Sequence, residues 1–170
     1  FDALAVSCGT CREALHAMGA HEIFECPLVD VSELAVERGA PVPASGRWLY
    51  HRPCHDSLEG RGPALLTRRG ATAEAVPHCC SEAGTLALSR PDIAYKMLAR
   101  KASALLDQAE RGQPAPLVTN CPSCLQGLAR HARPGPAPEH LAVLLARTRG
   151  GEGWPAALAA AMQRAEAVTF

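Results

Sequence analysis

The stretch Leu117-Val118-Thr119-Asn120-Cys121-Pro122-Ser123-Cys124-Leu125-Gln126-Gly127-Leu128 passes from a short β run through one polar residue and a C-x-x-C turn into a helix. The chain does the same at Leu4-Ala5-Val6-Ser7-Cys8-Gly9-Thr10-Cys11, where Ala14 and Leu15 take the places of Gly127 and Leu128. Such a turn exposes both sulfurs. The free N–H groups and the dipole of the helix N-terminus favour their thiolate form.

Working outward, strands are predicted at Ala3 to Val6, Leu28 to Val31, Trp48 to His51, Thr72 to Val76 and Leu117 to Thr119. Between them, helical spacing runs over Cys11 to Met18, from Ser32 through Leu34 and Val36 to a stop at Gly39, and over Ala64 to Thr67. The clearest helix has Ser89 as its N-cap, Pro91 in its first turn and Gly112 as its stop. Its apolar stripe is Ile93, Met97, Leu98, Leu105 and Leu106, with Arg100, Lys101 and Arg111 assigned to a solvated face. Cys121 to His131 is helical, Arg133 to Pro138 is a proline-rich break, and helices at Glu139 to Thr148 and Pro155 to Ala165 finish the chain. Alternating strands and helices argue for an α/β layered fold with a mainly parallel sheet.

Only one C-x-x-C has cysteines upstream of it, Cys54 and Cys79-Cys80. The expected organisation is therefore the end of a truncated first cysteine-rich repeat at 1–18, a second, complete repeat at 19–135, and C-terminal helices at 136–170 packed on the same domain.

With 170 residues, 48 % hydrophobic and 20 % charged, the chain is long and apolar enough for its own core. Lys+Arg 17 against Asp+Glu 17 leaves no basic excess for nucleic acid. The apolar run at Pro155 to Met162 is far too short for a membrane span. A core of this size needs no disulfide staples, so the 8 cysteines read as metal or redox chemistry in a reducing compartment. The expected location is cytoplasmic, at most peripheral to the inner face of a membrane.

In a parallel sheet, Cys54, Cys79-Cys80 and Cys121/Cys124 fall at the carboxyl ends of their strands, on one edge, where such folds place their sites. Five thiols exceed the four that tetrahedral zinc accepts and suit an iron–sulfur cluster better. Neighbours in an extended chain point to opposite faces. Cys79 and Cys80 therefore share a compact cluster only if a turn bends the backbone there. Otherwise one of them is a supporting thiol, or the cluster is opened out to use all five. Zinc on Cys54, Cys80, Cys121 and Cys124 is the alternative, and Cys8/Cys11 also reads as a thioredoxin-like dithiol. Cys26 reads as a buried small hydrophobe. His51, His55 and His78 flank the cysteines and could donate hydrogen bonds to sulfur. Tyr50 and Trp48 read as core, and His16, His21, His131 and His140 as surface or capping residues.

The pattern carried by Cys54, Cys79, Cys80, Cys121 and Cys124 resembles the cysteine-rich "CCG" domain found in heterodisulfide reductase, the glycolate oxidase iron–sulfur subunit and lactate-utilisation proteins. The flanks Tyr50-His51-Arg52-Pro53-Cys54-His55, Arg90-Pro91-Asp92-Ile93-Ala94 and Cys121 to Leu128 are similar to the C-terminal region of large bacterial FAD/FMN-binding oxidoreductases of the D-lactate or glycolate dehydrogenase type. The resemblance implies a 4Fe-4S type cluster on these cysteines, with Cys8 and Cys11 ligating a cluster completed upstream. It implies FAD on a domain outside this segment and electrons passed from flavin to a quinone, cytochrome or soluble carrier. The upstream flavin and ferredoxin-like domains are the expected partners. With no base, phosphate loop or flavin fingerprint in view, the segment alone is not expected to be catalytic. A heterodisulfide-reductase-like catalytic cluster and a zinc-stabilised interaction domain are the rival functions.

Two positions depart from the family's pattern. Ser81 stands where C-C-G has glycine, and if that glycine serves a positive φ, the serine is expected to distort the turn. Arg52 stands where the family usually carries Asp, and a cation there is expected to raise a cluster's potential.

Overall fold

A computed structural model describes residues 1–82, 85–111, 115–131 and 137–164. Its larger sheet has four parallel strands: β3 (Arg47–His51), β4 (Thr72–Ala75), β5 (Leu117–Thr119) and β6 (Pro138–His140), in the order β4-β3-β5-β6. A smaller parallel pair joins β1 (Leu4–Val6) to β2 (Leu28–Asp30). The α/β layered fold with mainly parallel sheets is thus the observed one.

Residues alternate between the two faces of the large sheet, and each face has its own core. Leu49 and Leu117 pack with Val76, Ala104, Leu105 and Leu128, under α6 (Pro91–Glu110) and α7 (Pro122–Ala129). Tyr50 and Val118 pack on the opposite side with Leu65 and Leu66 of α4 (Gly62–Thr67) and Leu141, Leu144 and Leu145 of α8 (Leu141–Gly150). All of β5 is buried, as expected of a parallel strand covered on both faces. Trp48 is half-buried against this second core.

The chain runs from β3 to the neighbouring β4, then crosses to β5 on the other side of β3. Strand order therefore reverses between β3 and β5. In open parallel sheets the crevice at the carboxyl ends of such strands is the binding position.

Several boundaries differ from expectation. Ser89 does not cap the long helix. It ends a short α5 (Leu86–Ser89), its Oγ donates to Thr85 O at 3.0 Å, and Arg90 precedes Pro91 instead. Leu106 is exposed and leaves the stripe, whereas Lys101 is fully buried and enters it. Gly112, most of the 133–138 break and Ala165, the expected end of the last helix, lie outside the described residues; that helix, α9, is described over Trp154–Arg164. Pro138–His140 is a strand, so the following helix begins at Leu141 and not Glu139. As expected of a capping residue, His140 Nδ1 accepts from Ala142 N at 3.2 Å. Two further helices, α1 (Gly9–Ala17) and α2 (Ala20–Ile23), separate β1 from β2, and α3 (Val31–Glu37) follows β2.

A buried polar network ties the small sheet to the large one. Tyr50 OH donates to Asn120 Oδ1 at 2.8 Å, while Asn120 Nδ2 donates to Asp56 Oδ1 at 2.9 Å and Ser57 Oγ at 3.0 Å. Ser57 Oγ donates in turn to Asp30 at the end of β2, which also accepts from Ser32 N at 2.7 Å. Asn120→Ala leaves the Tyr50 hydroxyl and the Asp56 carboxylate short of a partner. A loss of about 2 kcal/mol is expected in urea denaturation, and an unchanged midpoint would show that the network does not hold the sheets together.

Candidate metal centre

Each cysteine group is delivered by the end of a strand. Cys54 follows β3 after Arg52 and Pro53, Cys79-Cys80 follows β4, and Cys121 follows β5. Cys121 is the N-cap of α7, and Cys124 lies in its first turn. All five cysteines line one cavity of about 160 Å³, together with Thr10, Pro53 and His55. The sulfurs of Cys54 and Cys79 stand 3.5 Å apart, and those of Cys80 and Cys124 3.2 Å apart. Cys80, Cys121 and Cys124 are buried, Cys79 is half-buried, and Cys54 is exposed.

A bend makes this convergence possible. His78 and Ser81, on either side of the vicinal pair, have φ values of 70° and 59°. The turn therefore does need a positive φ, and Ser81 adopts it without glycine. Its Oγ donates to Ala94 O at 3.2 Å and its N–H to Cys79 Sγ at 3.3 Å, which offsets part of the strain. Gly127 lets α7 close on the same turn, since a Cβ there would meet Cys80 O at 2.7 Å. Ser81→Val, β-branched and without the hydroxyl, is expected to lose about 2 kcal/mol. Ser81→Gly should be near neutral. Thermal melts of both variants check the pair, and equal melting points would refute the strained-turn account.

The thiols are strongly differentiated. A hydrogen bond with Cys124 pulls Cys80 down to about 4, against the opposing effect of burial and with help from His51. A hydrogen bond with Cys124 likewise draws Cys121 down to about 6, with burial opposing and the N–H groups of Cys124 and Ser123 assisting. Cys124, whose proton those two sulfurs share, is pushed far up. Burial, then Cys79, raises Cys54 to about 11.

Behind the sulfurs lies a pair of fully buried bases from elements 50 residues apart in sequence. Lys101 Nζ stands 2.9 Å from His51 Nδ1 and donates to Val76 O at 3.0 Å and Pro77 O at 2.9 Å. A ring nitrogen of His51 and the sulfurs of Cys80 and Cys124 all lie within 4.8 Å of one another. His51 Nε2 is buried without a hydrogen-bond partner. Burial draws Lys101 down to about 8, with Cys80, Cys124 and Cys79 opposing. It is thus largely protonated at neutral pH. Two ammonium protons go to the carbonyls and the third to Nδ1, which leaves the imidazole proton on Nε2. A metal-ligating histidine instead donates from its far nitrogen to a carboxylate, carbonyl or water. With Nδ1 held by Lys101, His51 fits a donor toward the sulfurs better than a metal ligand.

Other sequence-derived candidates lie at the rim or away from it. Cys8 is the N-cap of α1, and Cys11 is exposed in its first turn; both thiols are free, and a hydrogen bond with Cys8 raises Cys11, with smaller contributions from burial and Cys121. His55 pairs with Glu13. Arg52 is exposed, its Nε 3.5 Å from Asp56 Oδ2. Cys26 is buried, as a small hydrophobe should be.

The cysteine-rich domain family matches residues 48–129, the span that holds all five cavity thiols. Over that span the chain is similar to the CCG cysteine-rich domain. The matched segment begins within β3 and ends with α7, and so contains the strand-order reversal and every thiol gathered there. The chain is also similar to the glycolate oxidase iron–sulfur subunit of Escherichia coli (strain K12), at 33 % identity over 132 residues. The alignment covers 72 % of this chain and 31 % of that relative, so the chain spans under a third of the relative's length. No solved structure matches the chain.

The donor set fits an iron–sulfur group. The cavity offers five sulfurs, and among the described residues no carboxylate lines it. Beside it, His51 Nε2 is buried without a partner, and a ring nitrogen of the same residue lies within 4.8 Å of two of those sulfurs.

Proposed function

We propose that this segment is an iron–sulfur electron-transfer module of a flavin-dependent 2-hydroxy-acid dehydrogenase of the lactate or glycolate type. Cys54, Cys79, Cys80, Cys121 and Cys124 would hold a 4Fe-4S type cluster, Cys79 or Cys80 acting either as ligand or as support. The observation that carries this reading is the convergence of five thiols in one cavity at the strand-order reversal. The name of the glycolate oxidase relative supports it. When bound, such a cluster supplies one-electron transfer.

The residues hold and shield that group unevenly. Cys80, Cys121 and Cys124 exclude water on the α6/α7 side, while Cys54 and Cys79 face a groove with Arg52 and His78. Electrons would arrive from FAD carried outside this segment and leave toward a quinone, cytochrome or soluble carrier. Cys8 and Cys11, which repeat the strand, C-x-x-C and helix order, would ligate a second cluster completed by residues beyond this chain. Among the described residues no helix is long and apolar enough to cross a membrane.

Anaerobic purification with iron and sulfide assays and EPR tests the reading. Iron and acid-labile sulfide in equal amounts, about four of each per chain, are expected. Stoichiometric zinc without iron would overturn it. The open groove at Cys54 and Cys79, of about 430 Å³, favours a second reading in which the cluster itself cleaves a disulfide. Disulfide reduction by the iron-loaded protein with a reduced dye as electron donor would select that reading, and its absence would remove it.

A further inference from the structure

We propose that Lys101 is a positioning residue for the metal centre: the buried counter-charge to its sulfurs, and the group that holds His51 as an N–H donor toward them. This rests on reading the five-thiol cavity as an iron–sulfur site. Lys101 lies in the middle of α6 and is fully buried. A buried ammonium without an opposite charge costs several kcal/mol. Among the described residues its polar contacts are two carbonyls and an imidazole, with no carboxylate. The groups placed to carry the opposite charge are the sulfurs of the five-thiol cavity, those of Cys80 and Cys124 lying within 4.8 Å of a ring nitrogen of the His51 that Lys101 holds. The lysine and the sulfurs therefore form one charge system, with His51 between them.

That arrangement has a redox consequence. A fixed positive charge in a low-dielectric interior favours the more negative, reduced state of a neighbouring cluster, and N–H donors to its sulfurs act in the same direction. Arg52, the cation that the sequence offered for this role, is exposed, sits beside Asp56 and is screened by water. The interior cation is the one placed to set the potential.

The test is an EPR-monitored redox titration of the iron-loaded protein, wild type against Lys101→Met, Lys101→Arg, His51→Leu and Arg52→Met. Lys101→Met should make the cluster at least tenfold harder to reduce at a given potential, a downward shift of about 59 mV or more for a one-electron couple. His51→Leu should shift in the same direction. The double variant should shift by less than the sum, because the lysine acts partly through the histidine. Arg52→Met should move the potential less than Lys101→Met. An unchanged potential in iron-loaded Lys101→Met overturns the proposal. If Lys101→Met fails to load iron, Lys101→Arg decides. Loading with a near wild-type potential supports the charge, and failure with an intact far-UV CD spectrum assigns Lys101 to packing and overturns the proposal. A wild-type protein without iron would instead defeat the reading of the site itself.

Discussion

Cys124→Ser is expected to lower the iron and sulfide held per chain by about 100-fold or more, the upper end of what even a metal-supporting partner contributes. The sulfur of Cys124 lies at the centre of the thiol group, 3.2 Å from Cys80 and bonded also to Cys121. Its proton stabilises both neighbouring thiolates in the metal-free protein, so replacing its sulfur alters the setting of three donors and not one. A serine hydroxyl is a harder, shorter donor than the thiolates that suit iron–sulfur clusters. Cys26→Ser is the matched control. That thiol is also buried, but it lies outside the cavity, so iron content should hold within twofold while stability falls slightly. Anaerobic reconstitution followed by iron and sulfide analysis separates the two. Full loading of Cys124→Ser would remove it from the centre.

The sheet was legible because each strand before a cysteine group is a short apolar run closed by a polar or proline-bearing turn. The same logic placed the thiols at strand ends. It failed at Pro138–His140, where a proline, an acid and a histidine carry no strand period, and where pairing with β5 supplies the reason for the conformation. Ser89 was misplaced because a one-turn helix comes before the long one, and a serine between two helices looks like a cap from either side.

The oversight at Lys101 is more instructive. Its charge assigned it to the solvated face, yet the apolar stripe has a gap there: Met97 and Leu98 stand four and three residues before it, and Leu105 four after. Helical spacing alone places position 101 inward. A cation at an inward position signals a buried partner, and here that partner lies at the end of a strand 50 residues away. The Ser81 expectation failed for a different reason. Serine in place of glycine is expected to distort the turn, whereas a hydroxyl and an N–H that find acceptors keep it at a positive φ.

Gly9→Ala is expected to destabilise the chain by about 3 kcal/mol, at the high end for an overpacked contact. A Cβ at Gly9 would lie 1.7 Å from His55 O and 2.2 Å from its carbon, both backbone atoms of the loop that carries Cys54. Neither can rotate away. The N-terminus of α1 must retreat until carbon and oxygen stand at about 3.3 Å. That retreat strains the Arg12–Glu59 ion pair, 2.7 Å in the native packing, and the Glu13–His55 pair, and it draws Thr10 away from the five-thiol cavity. Gly153→Ala is the control, since a Cβ there meets nothing within 4 Å and its backbone is unstrained; it should change stability by less than about 0.5 kcal/mol. Urea denaturation measures both, and the rate of iron loss to a chelator reads the cavity separately. Faster loss in Gly9→Ala is expected, because Thr10 is part of the cavity wall. Wild-type stability together with wild-type iron retention would mean that the first C-x-x-C helix only rests against the centre and does not close it.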